Sequence, residues 1–356
     1  MRKSILLTPF LMLSLFGQAP ETKTAEQVYK NITDLKGTPA DQLVPTMQFI
    51  SVSLGVTCEF CHVGGKPEVD DKRPKKTARE MIAMTLAINK NSFHGQTQVT
   101  CFSCHRGAQR PVAIPPVLES DAPAKPESNP APPAIGSTPP TADSIIEKYV
   151  TALGGADAMK KVTSRVGKGS IIVGGKETPV EVYTKAPNMR VTVSHNGNAD
   201  SYTAFDGHAG WMGNTGRPAR EMSAAESMAS GLDSEFYLGL RLKEIFPQLR
   251  AGRPDKIGDV PVIPLTGTRP GQPPVRLFFD ANTGLLMRMV RYAETPVGRM
   301  PTQIDYADYR NVDGVKTPFQ WTLSRPGGRF TIQLKEVKAN IPLDDSKFAK
   351  PAAEVK

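Results

Sequence analysis

Two short stretches decide how the N-terminal part of this chain is organised: Cys58-Glu-Phe-Cys61-His62 and Cys101-Phe-Ser-Cys104-His105. Both have the pattern Cys-x-x-Cys-His, which is typical of covalent c-type haem attachment. In such a site the two thiols form thioethers with the haem vinyl groups, and the adjacent histidine becomes the proximal iron ligand. The chain contains 4 cysteines, and the two motifs use all of them. We therefore expect two covalently attached c-type haems, with His62 and His105 as iron ligands.

Two other uses of four cysteines explain the pattern less well. Two disulfide bonds, or one four-cysteine zinc site, would also satisfy the thiols. Neither arrangement accounts for a histidine directly after both cysteine pairs.

The first residues have the features of an export signal. Arg2 and Lys3 precede an apolar run over residues 5–16, and small residues follow at Gly17 and Ala19. The apolar run is too short to span a membrane. We therefore predict a signal peptide over residues 1–19, with the exact cleavage position left open, and a periplasmic location. Export agrees with the motifs, because c-type haem is attached outside the bacterial cytoplasm.

Proline content divides the rest of the chain. Of the 32 prolines, 10 lie in residues 111–140. This composition favours extended polyproline segments and cannot build a core. We therefore predict a dihaem cytochrome c domain over residues 20–110, a Pro-rich linker over 111–140 and a second domain over 141–356.

The charge of the chain does not indicate a nucleic-acid partner. The formal net charge is +9, but the basic residues are dispersed, and export argues against a nucleic-acid partner. The most basic run, Lys72-Arg-Pro-Lys-Lys76, directly follows Asp70 and Asp71. We expect this run in a solvated loop, with a docking patch for an acidic redox partner as the alternative.

Three helices are expected before the linker. Thr24-Ala-Glu-Gln27 has the pattern of a capping box and predicts a helix that runs past Ile32. A second helix is expected over residues 45–54, ending at Gly55. A third is expected over residues 77–89, opening on a second capping box, Thr-Ala-Arg-Glu. Because a helix, a loop and a Cys-x-x-Cys-His motif occur twice in this order, we infer an internal duplication.

The part after the linker has a different pattern. A predicted amphipathic helix over residues 143–153 is followed by short runs with strand-like alternation. Clear examples are residues 170–173, 180–184, 190–194, 275–279 and 330–334. Asn196-Gly197 and Asp206-Gly207 are typical of hairpin turns, and a helical insertion is expected over residues 219–246. These features predict an α+β domain, an antiparallel sheet of roughly ten strands with helices packed on it.

The residue in the sixth coordination position of each iron decides between electron transfer and chemistry on a bound substrate. A methionine thioether raises the reduction potential and blocks other ligands. Met47 lies in the helix before the first motif, and Met81 and Met84 lie in the helix before the second. Methionine on a helix more often fills a core. Because one such helix precedes each motif, all three methionines are candidate ligands.

Residues 28–107 resemble a known family, the multihaem cytochrome c subunit of photosynthetic reaction centres. The matching segments are Thr46-Met47-Gln48-Phe49, Leu54-Gly55-Val56-Thr57-Cys58, Thr77-Ala-Arg-Glu-Met81-Ile-Ala-Met84-Thr85, Ile88-Asn89 and Val99-Thr100-Cys101-Phe-Ser-Cys104-His105-Arg106-Gly107. The resemblance implies that each helix donates a methionine to the haem attached just downstream. It assigns Met47 to the first haem and Met81 to the second, with Met84 as the fallback.

The chain also departs from this family. The family carries four haems in two similar halves, and this chain resembles the N-terminal half alone. His94 stands about where a family histidine reaches a haem of the other half. We consider three roles for it: a relic, a haem ligand across a dimer, or an ordinary surface histidine. Photosynthesis is not implied.

The C-terminal part more weakly resembles the periplasmic lipoprotein-carrier type of half-barrel. The residues that carry this resemblance are 277–285 and 306–319. In that fold a curved antiparallel sheet wraps a helix and leaves an apolar cavity. The resemblance implies a lipid or another apolar ligand, and peripheral membrane contact, although a plain structural or docking domain explains the pattern equally well.

The sequence therefore predicts an exported dihaem cytochrome that transfers single electrons between redox partner proteins. One alternative is a haem enzyme with an open iron that reduces peroxide or a nitrogen oxide. Another is a lipid-binding or redox-sensing module. The sequence leaves open the electron donor and acceptor, the haem potentials and the oligomeric state.

Overall fold

The computed structural model describes residues 23–111, 140–197, 199–326 and 328–350. The predicted signal peptide and all but the two end residues of the predicted linker lie outside these ranges. The described N-terminal part is helical, and the described C-terminal part is built on one large antiparallel sheet. This arrangement confirms the predicted fold class, a mainly α domain followed by an α+β antiparallel domain.

Five helices form the described N-terminal part. They are α1 (Ala25–Val28), α2 (Ala40–Leu54), α3 (Cys58–Cys61), α4 (Arg73–Ser92) and α5 (Cys101–His105). The helices α2 and α4 are the long ones, and each precedes one motif helix. The element order therefore repeats as the sequence predicts.

The boundaries of the first and third predicted helices were wrong. The capping box at Thr24 forms, but α1 has only one turn because the chain becomes extended at Tyr29 and left-handed at Asn31. The third helix begins at Arg73, not at Thr77, because Pro74 fits the first turn, where its missing N–H is not needed. The expected capping box at Thr77 therefore lies inside the helix.

Helix α2 begins earlier than predicted and ends where predicted. It starts at Ala40, so that Pro45 lies within its second turn. Gly55 ends it in the left-handed conformation, with φ of 66°. That conformation favours glycine, because a Cβ would clash with the backbone there.

The C-terminal part contains four helices and fourteen strands among the described residues. The helices are α6 (Ala142–Leu153), α7 (Ala156–Lys161), α8 (Ala224–Ser234) and α9 (Leu238–Ile245), and a short 3₁₀ turn spans Asp345–Lys347. The strands are β1 (Ser164–Val173), β2 (Lys176–Lys185), β3 (Met189–His195), β4 (Asp200–Phe205), β5 (Gly210–Asn214), β6 (Arg220–Glu221), β7 (Gln248–Ala251), β8 (Asp255–Ile257), β9 (Val260–Thr268), β10 (Val275–Asp280), β11 (Leu286–Thr295), β12 (Gly298–Val312), β13 (Val315–Arg325) and β14 (Gly328–Ala339).

The sheet is antiparallel throughout and has the order β6-β5-β4-β3-β2-β1-β14-β13-β12-β11-β10-β9-β7, with β8 paired to β9. The predicted count of roughly ten strands was too low. Strands β6, β7 and β8 have two to four residues each, which is too short for alternation to be visible in a sequence.

Helices α6 to α9 supply one wall of the C-terminal core. Helix α8 lies against β3, β4 and β5, and α6 lies against β7, β9 and β13. Residues at both ends of the sheet therefore meet one helical layer, as a curved sheet requires. The core includes Tyr149, Leu242, Phe246, Leu277 and Phe279. Among the described residues, no helix is both long and apolar enough to cross a bilayer.

The hairpin between β11 and β12 connects the two parts of the molecule. At its tip, Val297 is 0% exposed and lies in the apolar cluster of the helical part, which includes Leu43, Ile50 and Ile82. The neighbouring Gly298 lies so close to Phe49 that a Cβ there would be 2.4 Å from the ring. The sheet thus contributes to the core around α2.

Candidate haem-attachment sites

Each motif forms one turn of helix. Thr57 and Thr100 precede the turns in extended conformation, and at the second motif Thr100 and Ser103 form a reciprocal capping box. Positions three apart lie on the same side of a helix. The two thiols of each motif therefore face one side, as attachment to two vinyl groups of one porphyrin requires.

All four cysteines are free thiols in the structure, so the alternative of two disulfide bonds is not formed. Cys61 and Cys101 are half-buried, and Cys58 and Cys104 are exposed. Burial raises the pKa of the Cys61 and Cys101 thiols.

The two histidine rings have the same local partner. His62 Nδ1 lies 2.9 Å from the carbonyl oxygen of Pro67, and His105 Nδ1 lies 2.9 Å from that of Ala108. Because a carbonyl only accepts, Nδ1 carries the proton and donates it in both cases. Nε2 then keeps its lone pair for a metal. The residues present fit a proximal haem ligand at each motif.

A network of charged groups holds the loop after the first motif. Asp70 accepts from Arg79 at 2.7 Å, from Lys75 at 2.9 Å and from Asn31 at 3.0 Å. Arg79 foremost, and then Lys75 and Asn31, hold the pKa of the Asp70 carboxyl well below its usual range. The expectation of a solvated loop over residues 72–76 was wrong, because the run begins α4 and Lys75 is 8% exposed.

An uncharged group holds the segment before the second motif. The buried Asn89 side chain donates to Val99 O at 2.7 Å and accepts from the N–H groups of Gln98 and Val99 at 3.0 and 2.9 Å. The amide thus completes three hydrogen bonds with the backbone that leads into Cys101. It fixes the second motif against α4.

The end of α2 touches the residues that follow the second motif. Gly107 donates its N–H to the Ser53 carbonyl at 2.9 Å. A Cβ on Gly55 would lie 2.1 Å from the Gly107 carbonyl oxygen, so only glycine allows this approach. The helix that carries Met47 therefore also positions the second motif.

A cavity of about 400 Å³ opens at the second motif, within the roughly 300–1,000 Å³ range of cofactor sites. Cys101, Cys104 and His105 line it, and so do Met81 and Met84 from α4. Phe60 and Cys61 of the first motif also line it, together with Arg73 and Arg110. The arrangement brings the cysteines and histidine of the second motif together with both of its methionine candidates.

Met47 is half-buried and packs against the apolar cluster that contains Val297. Its role as a ligand, and the choice between Met81 and Met84, stay predictions, although Met84 is 45% exposed. His94 is exposed and left-handed (φ 53°) in the turn that ends α4. The predicted apolar ligand of the C-terminal part and its membrane contact also stay predictions.

Sequence reasoning did not identify three residues that support these sites: Lys75, Asn89 and Val297. The signals for them were weak. Lys75 stands in a basic run that has the composition of a loop, and Asn89 was noted only as part of a resemblance. Val297 lies more than 200 residues from the cluster it completes.

The N-terminal part of the chain is similar in sequence to known proteins. Residues 13–167 match the family model "Photosynthetic reaction centre cytochrome C subunit". The reaction centre cytochrome c subunit of Thermochromatium tepidum is 34% identical over 87 residues, which are 23% of this chain and 22% of the relative. That of Roseobacter denitrificans is 32% identical over 114 residues, which are 28% of this chain and 30% of the relative. The chain thus spans less than a third of these relatives.

The solved structures that resemble the chain match its C-terminal part. A LolA superfamily protein from Nitrosomonas europaea has a TM-score of 0.41 and 14% identity, and covers 59% of this chain and 98% of its own. A DUF1329 family protein from Desulfovibrio piger has a TM-score of 0.43 and 14% identity, and covers 60% of this chain and 98% of its own. The resemblance of the N-terminal part is confirmed: residues 13–167 are similar in sequence to the photosynthetic reaction centre cytochrome c subunit family.

Proposed function

We propose that this chain is an exported dihaem c-type cytochrome that transfers single electrons through two His/Met-ligated haems. One observation carries the proposal. At both motifs the histidine Nδ1 lies 2.9 Å from a backbone carbonyl oxygen, which leaves Nε2 for the iron. The family match over residues 13–167 supports a c-type cytochrome.

Each haem, when bound, supplies an iron that alternates between the ferric and ferrous states. Cys58 and Cys61 would hold the first porphyrin, and Cys101 and Cys104 would hold the second. The thioethers of Met47 and Met81 would be the second protein ligands of the two irons, and such ligands favour the ferrous state and exclude other ligands. With both positions closed, the protein carries electrons and does not activate a small molecule.

The placement of the two motifs supports exchange of electrons between the haems. Phe60 and Cys61 of the first motif line the same cavity as Cys101, Cys104 and His105 of the second. The first tethering helix is therefore a wall of the second site. Electrons would pass between exported redox proteins through this pair.

Carbon monoxide tests the proposal directly. The holoprotein is produced with the haem-attachment machinery, its two haems are counted by mass, and carbon monoxide is added after reduction with dithionite. We expect two haems and no spectral change. The Met81→Ala variant serves as the positive control, because its second iron should bind the gas.

Two results would contradict the proposal. A mass increase of fewer than two haems would remove the dihaem assignment. Rapid binding of carbon monoxide by the wild-type protein would mean an open iron, and reduction of peroxide or a nitrogen oxide would then explain the site better.

A further inference from the structure

Lys75 in α4 has an unusual environment for a lysine. Its side chain is 10% exposed, and its ammonium group lies 2.7 Å from Pro67 O, 2.9 Å from Val69 O and 2.9 Å from Asp70 Oδ1. An ammonium group has three protons to donate. Each proton has one acceptor here, so the charge is held in a fixed place.

One of those acceptors is also the partner of the first motif's histidine. Pro67 O lies 2.7 Å from the Lys75 ammonium and 2.9 Å from His62 Nδ1. The second motif differs. Within the described ranges, only the His105 ring donates to Ala108 O. One histidine therefore shares its carbonyl with a cation, and the other does not.

This sharing has a predictable electronic effect. A strong acceptor at Nδ1 makes an imidazole ring richer in electrons, which stabilises a ferric iron at Nε2. A cation bound to the same carbonyl draws electron density away from it and weakens that acceptor. The positive charge also acts directly, since it favours the iron state with one electron more. Both effects favour the ferrous state.

The charges around Lys75 leave a positive balance. Lys75 and Arg79 both pair with the single carboxylate of Asp70. This ion-pair cluster therefore has two cations and one anion. Asp70 reduces the effect of Lys75 without cancelling it.

We propose that Lys75 is a positioning residue of the first haem site and raises that haem's reduction potential through the carbonyl of Pro67. The inference rests on the proposed function, since it needs a haem on His62. It concerns the first haem alone, because the carbonyl that Lys75 shares is the partner of His62, whereas the partner of His105 is Ala108 O.

The test is a potentiometric titration of the full-length holoprotein that resolves both haems. The second haem is identified as the one that changes in the His105→Met variant. In Lys75→Met we expect the reduction equilibrium of the first haem to shift about tenfold toward the ferric form, which is about 59 mV for one electron. The second haem should shift less than twofold. Lys75→Arg keeps the charge and donors and should stay within twofold of the wild type.

The neighbouring Lys76 provides the matched control, because it is exposed and Lys76→Met removes the same charge from the same helix. We expect both haems of that variant to shift less than twofold. An equal shift in Lys75→Met and Lys76→Met would overturn the inference.

Asp70→Asn gives an independent result of opposite sign. It removes the anion and leaves both cations in place, so the first haem should shift toward the ferrous form. A shift toward the ferric form, or none, would overturn the inference even if Lys75→Met failed to retain its first haem. These outcomes are separate from the proposed function, which depends on the wild-type haem count and on carbon monoxide.

Discussion

The two motifs share the pattern Cys-x-x-Cys-His, yet their surroundings differ in kind. Charged groups support the first, where Lys75, Asp70 and Arg79 hold the loop whose carbonyl meets His62. A neutral amide supports the second, where Asn89 holds the segment that enters the motif. A duplicated attachment motif therefore does not produce duplicated electrostatics.

The helices that carry the candidate methionines also differ in what lies against them. Helix α2 is covered by the β11–β12 hairpin, whose Val297 is 0% exposed. Helix α4 presents Met81 and Met84 to an open cavity. The distant C-terminal part thus covers α2 directly, and the same cluster also includes Ile82 of α4 and the half-buried Cys101 of the second motif.

The largest effect should come from removing the sixth ligand at the second motif. In Met81→Ala we expect the second haem's potential to fall by on the order of 0.1 V or more, because axial-ligand identity sets haem potentials over about 0.8 V. Potentiometry and the methionine–iron charge-transfer band measure this change. Met84→Ala is the control and should leave both unchanged. The reverse result would transfer the ligand role to Met84.

The next largest effect should come from removing the Asn89 amide, which supports the second motif. Asn89→Ala leaves two backbone N–H groups and one carbonyl without partners, and unsatisfied buried groups cost about 1–3 kcal/mol. We expect the free energy of unfolding of the holoprotein to decrease, by an amount near the upper end of that range. Asn91→Ala, at an exposed position of the same helix, should be neutral in guanidinium unfolding. Equal stability of the two variants would mean that the amide does not hold the motif.

Local patterns are the basis of the attachment residues, which stay predictions, and they correctly located five of the fourteen described strands. The Cys-x-x-Cys-His motif is recognised from five consecutive residues. Asn196-Gly197 lies at the turn between β3 and β4, as expected. Gly55 likewise ends α2 where the sequence places the end. These features depend on neighbours in the chain, so a sequence displays them.

The supporting residues depend on neighbours in space, and the sequence could not reveal them. Lys75 stands in a basic run with the composition of a solvated loop. It is buried because the loop that contains Pro67 folds over it. The tip of the β11–β12 hairpin gives no sign that it enters a helical core. Tertiary packing also shortened α1, where an isolated capping box favoured a longer helix.

The contact between the two parts of the molecule should have a moderate effect. Gly298 has φ of 151°, and a Cβ there would lie 2.4 Å from Phe49, so Gly298→Ala forces the hairpin and α2 apart. Such overpacking costs about 1–3 kcal/mol, and part of that cost should be relieved by movement of the hairpin tip. We expect a lower thermal midpoint and a weaker charge-transfer band for Met47, with a smaller change at the second haem, whose Cys101 packs against the same cluster.

The control for this variant is Gly328→Ala, at the start of β14, where an added Cβ would have nothing within 4 Å. It should leave both the thermal midpoint and the band unchanged. A Gly298→Ala protein with normal spectra at both haems would show that the hairpin packs against α2 without affecting the first site.

The smallest effect should be the pH dependence of the stability that Asp70 contributes beside the first motif. The Asp70 carboxyl has a pKa held below the ordinary value by Arg79, Lys75 and Asn31. A carboxyl with a lowered pKa in the folded protein contributes stability above its unfolded pKa of about 3.9 and loses it as the pH falls through the folded value. The contribution is therefore fully present at neutral pH and is lost only in strongly acidic solution.

Comparing the wild type with Asp70→Asn isolates this contribution, because the amide cannot ionise. We expect a constant stability difference between the two proteins from pH 7 down to about pH 4, and a shrinking difference below that. The difference should be small, because solvent reaches the carboxylate and screens the pair. Asn89→Ala should show no such pH dependence, since no charge is lost there. A difference that shrinks already near neutral pH would mean that another group, and not Asp70, controls the charged support of the first motif.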